Sequence, residues 1–271
     1  MLKTEQRNPR TTHIDTMNTL EMVQIINDEN LRVIRAVEAA DTEIAAAADA
    51  AAAAICVGGR LFYIGAGTSG RLGVLDASEC PPTFGVSETT VTGIMAGGDR
   101  CLRSPSEGAE DNEAAGAADF LACSPSPGDV LVGISASGGA AYVLGAIQAA
   151  KERQCITVGL TCNRGSPLSE CADIPIITDT GAEVITGSTR MKAGTAHKIV
   201  LNTISTCAMI KAGYVCENLM INLQPSNQKL RARMVRIVAE LAGVDEPAAE
   251  ALLDQAGWDI RSALHLHRER K

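Results

Sequence analysis

Two short segments hold the residue types best suited to chemistry. Gly65-Ala66-Gly67-Thr68-Ser69-Gly70-Arg71 and Gly133-Ile134-Ser135-Ala136-Ser137-Gly138-Gly139 each follow an apolar run and precede a helical pattern. Such a turn leaves backbone N–H groups pointing out of a helix N-terminus, where the helix dipole also favours an anion. The hydroxyls of Thr68, Ser69, Ser135 and Ser137 add donors. One turn of this kind is ordinary loop chemistry. Two hydroxyl-rich copies at equivalent strand ends describe a pocket for one phosphate. A third polar cluster, Thr186 to Lys192, opens a long helical pattern. Ser188 or Thr189 is the expected cap there, and Arg190, Lys192 and Lys198 bring positive charge. Read without a ligand, the same residues are a cap and solvated cations. Glu183, close by, either holds a ligand hydroxyl or pairs with a cation.

The first loop also fits Gly-x-Gly-x-x-Gly. A dinucleotide site would need an acidic residue closing the second strand to hold a ribose. Asp99 is the nearest candidate and lies beyond the Gly97-Gly98 turn, so that pattern alone is weak.

These loops need a scaffold. Leu61–Ile64, Val91–Met95, Val130–Ile134, Ile156–Leu160 and Ile174–Ile177 read as buried strands. Helical patterns lie between them around 70–76, 106–121 and 140–151. The alternation implies an α/β fold, a doubly wound parallel sheet flanked by helices, with ligands at the carboxyl ends of its strands. Residues 19–57 read as one long helix stopped by Gly58-Gly59, and 190–212 as another. Residues 1–18 read as a polar arm folded over a partner subunit. The tail, 227–271, reads as a small C-terminal helical module of three helices punctuated by Gly243 and Gly257, with Trp258 anchoring its core. The expected organisation is therefore an N-terminal arm and helices over 1–57, a ligand-binding α/β domain over 58–215 and the helical module over 216–271.

Composition narrows the function. The chain has 271 residues, 46% of them hydrophobic and only 3% aromatic, so the core is aliphatic. A formal net charge of −8 argues against nucleic acid and against an anionic membrane surface as partners. No apolar run reaches membrane-spanning length. The nine cysteines are odd in number and contain no Cys-x-x-Cys, which suits a reducing, cytoplasmic setting. Cys80 reads as a packed thiol. His13, His197, His265 and His267 lack metal-ligand spacing, so no metal is expected.

Longer motifs carry a resemblance. The stretch from Gly58 to Thr83, with Asp76-Ala-Ser-Glu-Cys-Pro-Pro82 at its end, resembles the N-acetylmuramic acid 6-phosphate etherases. So do Thr4–Asn8, Thr19–Met22, Ile26–Glu29, Glu107–Asp111 and Gly181–Thr195. The resemblance covers residues 4–260, and its last motif is also similar to the glucokinase regulatory protein. It implies a sugar-isomerase-type fold, a cytoplasmic homodimer, a sugar-phosphate substrate and no cofactor. The implied reaction removes the lactyl ether of N-acetylmuramic acid 6-phosphate, giving N-acetylglucosamine 6-phosphate and D-lactate. Glu79 and Glu110 match the family's catalytic positions. Glu79 is expected as the acid that assists lactate departure and Glu110 as the base at C2, with the two roles interchangeable on sequence alone. An acid of this kind needs a raised pKa, which an apolar, partly closed pocket supplies. Pro81-Pro82 is expected to end the helix that bears Glu79.

The chain also departs from the family pattern. Gly139-Ala140-Ala141 stand where the family has Arg-Thr-Pro, and the tail is shorter after Leu266. A lost hydrogen bond to a charged group costs roughly 1.5–3 kcal/mol, enough to weaken phosphate binding. A non-catalytic sugar-phosphate regulator, an aldose–ketose isomerase and a nucleotide-dependent dehydrogenase are the alternatives. The carboxylate pair at 79 and 110 distinguishes the first reading from a pure sensor.

Overall fold

The computed structural model describes residues 2–106, 108–225 and 227–269. Strands β1 (Leu61–Gly65), β2 (Val91–Met95), β3 (Val130–Ile134), β4 (Ile156–Thr161) and β5 (Ile174–Ile177) form one parallel sheet in the order β2-β1-β3-β4-β5. Every residue of β1 and β3 is buried, as central strands covered on both faces require. Between strands run α3 (Gly67–Phe84), α4 (Arg100–Arg103), α5 (Glu113–Ala122), α6 (Ala141–Glu152) and α7 (Pro167–Cys171). The chain leaves β1 for β2 on one side and then crosses back past β1 to β3 on the other. The switch point of the sheet therefore lies between β1 and β3, where α/β folds open a crevice beyond the strand ends.

The expected single helix over 19–57 is two: α1 (Thr19–Glu38) and α2 (Asp41–Cys56). Alanine at 39 and 40 gives no local reason to break. Packing does: α2 lays Ile44, Ala47, Ala48 and Ala51 against the sheet, whereas α1 buries a different face at Val33, Ala36 and Val37. Asn18 and Glu21 form a reciprocal capping box at the start of α1. The N-terminal arm makes short 3-10 turns that dock on its own chain. Thr4, Asn8 and Thr11 are buried, and Thr11 Oγ1 donates to the Val184 carbonyl at 2.8 Å.

Helix α3 continues through Pro81-Pro82 to Phe84 instead of stopping there. Its end is made by Gly85 at φ +65°, whose N–H bonds the Pro81 carbonyl. The expected helix over 106–121 starts later, at Glu113, capped by Asn112 and preceded by a 3-10 turn, Ala109–Asp111; Glu107 lies outside the described residues. Helix α8 spans Lys192–Lys211.

The tail contains a small hairpin, β6 (Val215–Cys216) with β7 (Leu219–Met220), then α9 (Gln228–Ala242), α10 (Glu246–Gln255) and α11 (Ile260–Glu269). Asn227 and Asp245 cap α9 and α10, and Gly243 at φ +66° ends α9. Met234, Val238, Leu253 and Ile260 form its core, with Trp258 packed at the edge and its indole N–H on Asp254. The chain divides into two compact units: Met1–Ser78 with Glu88–Ala208, and Glu79–Ser87 with Met209–Lys271. All nine cysteines are free, and among the described residues no helix is long and apolar enough to cross a membrane.

Candidate functional site

The first loop is shaped by steric fit. A Cβ on Gly70 would strike the Gly65 carbonyl oxygen and come 2.7 Å from Met95 Sδ. Only bare backbone lets α3 start this close to the end of β1. Gly67 sits at φ +55°, a conformation that glycine takes without cost. Thr68 and Ser69 occupy the first turn of α3, both half-buried.

The second loop is shaped by hydrogen bonds. Ser135 is buried and its Oγ accepts the Gly138 N–H at 3.1 Å, while Ser137 Oγ accepts the Gly139 N–H at 3.2 Å. The two hydroxyls lie 3.3 Å apart. Gly138 is at φ +74°, and a Cβ there would come 2.8 Å from Thr161 Oγ1. Asn163 props the loop from outside, its Nδ2 donating to the Ala136 carbonyl at 2.9 Å. Beneath it, His197 and Cys162 are buried 3.6 Å apart. Burial pushes His197 down to about 4 and the Cys162 thiol up to about 11, so both are neutral. Since β1 and β3 pair directly, with Gly65 opposite Ile134, the two loops emerge side by side.

The third cluster joins them at the start of α8. A Cβ on Gly194 would lie 3.3 Å from Thr68 Cγ2, so that helix approaches the first loop closely. The cap of α8 is neither Ser188 nor Thr189. Glu183, fully buried, accepts the N–H groups of Lys192 at 3.1 Å and Ala193 at 2.9 Å. Its carboxylate therefore faces the helix N-terminus, where a negative charge is favoured. Lys192 is not a free cation either. It is fully buried and its Nζ meets Glu29 Oε2 at 2.6 Å. Asn8 Nδ2 and Arg10 donate to the same carboxylate, both at 2.8 Å, and Arg32 stands 3.5 Å away. Burial opposes ionisation of Glu29, but these partners prevail and hold its pKa below the ordinary value. Ser188 is half-buried and Arg190 and Lys198 are exposed.

Glu110 is exposed on its 3-10 turn and lines a cavity of about 350 Å³ with Ala66, Gly67, Arg71, Met95 and Cys101. The cavity thus unites one predicted carboxylate with the first loop. Arg71 braces its wall, donating to the carbonyls of Leu102 at 3.0 Å and Cys101 at 2.7 Å. Glu79 is exposed on α3, at the point where the second unit begins. Sequence reasoning overlooked Arg71, Asn163 and Glu29. Arg71 was visible as the residue closing the glycine loop and Glu29 as the end of the Ile26–Glu29 motif, though without a role; Asn163 carries no local signal. Among the described residues no three His, Cys, Asp or Glu side chains cluster to hold a metal.

Two family models match the chain: the glucokinase regulatory protein N-terminal SIS domain over residues 43–151 and the SIS domain over residues 113–205. The N-acetylmuramic acid 6-phosphate etherase of Glaesserella parasuis is 56% identical over 97% of this chain and 86% of its own length. N-acetylmuramic acid 6-phosphate etherase 1 of Bacillus licheniformis is 48% identical, with coverages of 97% and 86%. Among solved structures, phosphoheptose isomerase from Neisseria gonorrhoeae superposes with a TM-score of 0.54 at 21% identity, over 70% of this chain and 98% of that one. At that identity the likeness concerns the fold.

Proposed function

This chain belongs to the N-acetylmuramic acid 6-phosphate etherase family, and on that premise we propose that it is a carbon–oxygen lyase cleaving the D-lactyl ether of N-acetylmuramic acid 6-phosphate. The products are N-acetylglucosamine 6-phosphate and D-lactate. What supports the site is that the two hydroxyl loops leave the adjoining strands β1 and β3, with Thr68 of the first loop against the first turn of α8.

In this reading the phosphate is held by Thr68, Ser69, Ser135 and Ser137, with Ser188 and Arg190 completing the donors. Glu183 contributes by fixing the start of α8. An alkoxide leaves poorly, so the reaction begins at C2, whose proton is acidified by the C1 aldehyde of the open-chain sugar. Glu110 takes that proton, the C3–O bond breaks, and Glu79 protonates the departing lactate oxygen. Water then adds to the C2–C3 double bond, restoring the C3 hydroxyl and returning the proton. Two carboxyl groups suffice for this acid–base cycle.

We further place a homodimer contact on α1. Leu20, Val23, Leu31 and Ile34 are 66%, 48%, 69% and 50% exposed along one face of that helix. They are symmetric about Asn27, Leu20 with Ile34 and Val23 with Leu31. An antiparallel copy of the same helix would therefore meet like with like, as a two-fold interface requires.

The match to the glucokinase regulatory protein domain favours a second reading, sugar-phosphate binding without turnover. Incubation of the purified protein with N-acetylmuramic acid 6-phosphate and enzymatic assay of D-lactate separates them. Stoichiometric lactate release is the expected result; tight binding with no lactate would leave only the regulator.

A further inference from the structure

A larger cavity of about 1030 Å³ lies apart from the residues assigned above. It is lined by Lys3 of the arm, Arg32 and Arg35 of α1, Asn163 and Arg164 after β4, and Asp179 after β5. Four of these side chains are cationic in a chain of net charge −8. The one carboxylate, Asp179, is already paired with Lys3. Arg35 and Arg164 form no ion pair among the described residues. Guanidinium groups gathered in a concave surface repel one another unless an anion sits between them, and their forked N–H groups suit phosphate.

Two walls of this cavity are wired to the proposed active site. Asn163 donates to the Ala136 carbonyl of the second loop and accepts the Lys3 N–H at 2.9 Å. Arg32 touches Glu29, which holds Lys192 at the start of α8. An anion that drew Arg32 or Asn163 toward itself would pull on both hydroxyl clusters. The volume is that of a metabolite site, for which a few hundred to about 1,000 Å³ is usual. The acidic chain around it disfavours a long polyanion.

We infer that this cavity is a second anion site, in which Arg32, Arg35 and Arg164 bind a small phosphate-bearing metabolite whose occupancy alters turnover through Asn163 and Arg32. The binding stands independently of the proposed reaction; the coupling rests on it. The test uses the full chain and inorganic phosphate as probe. The variants are Arg35→Ala with Arg164→Ala, both exposed and outside the catalytic machinery, and Ser69→Ala with Ser135→Ala. Calorimetric titration should count two phosphates on the unaltered protein. The arginine pair should weaken one of them at least tenfold, and the serine pair the other. Lactate release without phosphate should stay within about twofold in the arginine variant. Phosphate should change kcat of the unaltered protein, but only raise KM once the arginines are gone. An unchanged phosphate count and affinity in the arginine variant, or an unchanged kcat response, would overturn the inference. So would arginine-dependent binding to phosphatidylserine vesicles tighter than to phosphate. Failure of the unaltered protein to release lactate would defeat the proposed reaction while leaving the phosphate count to decide the site.

Discussion

The first and second loops occupy equivalent positions on neighbouring strands but are held in shape by different forces. In the first, Gly65 and Gly70 approach so closely that no side chain fits, and among the described residues the hydroxyls of Thr68 and Ser69 make no hydrogen bond within the loop. In the second, Ser135 and Ser137 spend themselves on the loop's own N–H groups, and Gly139 faces open space, its nearest side-chain atom Ser137 Oγ at 3.9 Å. The first loop is held by steric exclusion; the second is held by hydrogen bonding, with only Gly138 pressed against neighbouring side chains. The first should tolerate almost no change in its glycines. The second can drift at 139–141 without losing its shape, the stretch where the sequence is expected to depart from the family pattern.

The sharpest blow to this picture would come from the chemistry itself. Glu110→Ala and Glu79→Ala should each lower lactate release by about 10²–10⁴-fold, the usual contribution of a positioned acid or base, with circular dichroism unchanged. Release that survives both changes would remove the carboxylates from the mechanism and leave the loops as a binding site only.

The contrast in shape is tested next. Gly70→Ala should destabilise the protein by about 1–3 kcal/mol or more through overpacking against backbone, read as a lower urea midpoint. Gly139→Ala should leave the midpoint almost where it was. Equal effects would mean that the two loops are not held differently after all.

Restoring Gly139→Arg, Ala140→Thr and Ala141→Pro together should lower KM for the sugar phosphate. A gain of roughly 1.5–3 kcal/mol for a bond to a charged group corresponds to about 10–100-fold. Proline at 141 is compatible with the first position of α6. No change in KM would show that the second loop does not meet the phosphate.

The floor beneath the second loop gives a pH signature. His197 titrates near 6.5 when exposed but is held at about 4 in the fold by burial. The unfolded chain therefore takes up a proton that the folded chain refuses. Stability is complete above pH 6.5 and falls as the pH drops toward 4. Between pH 7 and 5 the loss from this residue should be about 2 kcal/mol, visible in urea melts at the two pH values. His197→Gln should flatten that dependence. Smaller again is the effect of Ser135→Ala, about 1 kcal/mol of stability for the lost loop hydrogen bond, against none for Ser69→Ala.

Much of this was legible in the chain itself. Apolar-rich runs of four or five residues between turns mark β2, β3 and β5 to the residue: β3 is continuously apolar because it is buried on both faces, while the edge strands β2 and β5 are only partly buried. The tail helices announced themselves through Gly243 and Gly257, since helix-ending glycines are local devices; the caps Asn227 and Asp245 are found in the structure. The hydroxyl loops were visible for the same reason: a strand end, a turn and a helix start are neighbours in sequence.

What the sequence could not disclose are the pairings between distant residues. Glu29 and Lys192 are 163 positions apart and Asn163 and Ala136 are 27 apart. For Lys192 and Glu183 the sequence left ligand contact open beside a solvated or simply paired charge, because spacing alone cannot tell a solvated ion from a buried, fully paired one. Only packing fixed that difference, since taking a charge out of water is tolerable only where partners from other elements already stand around it. The break between α1 and α2 follows the same logic: alanine permits a helix everywhere, and the surfaces each segment must cover decided where it stops.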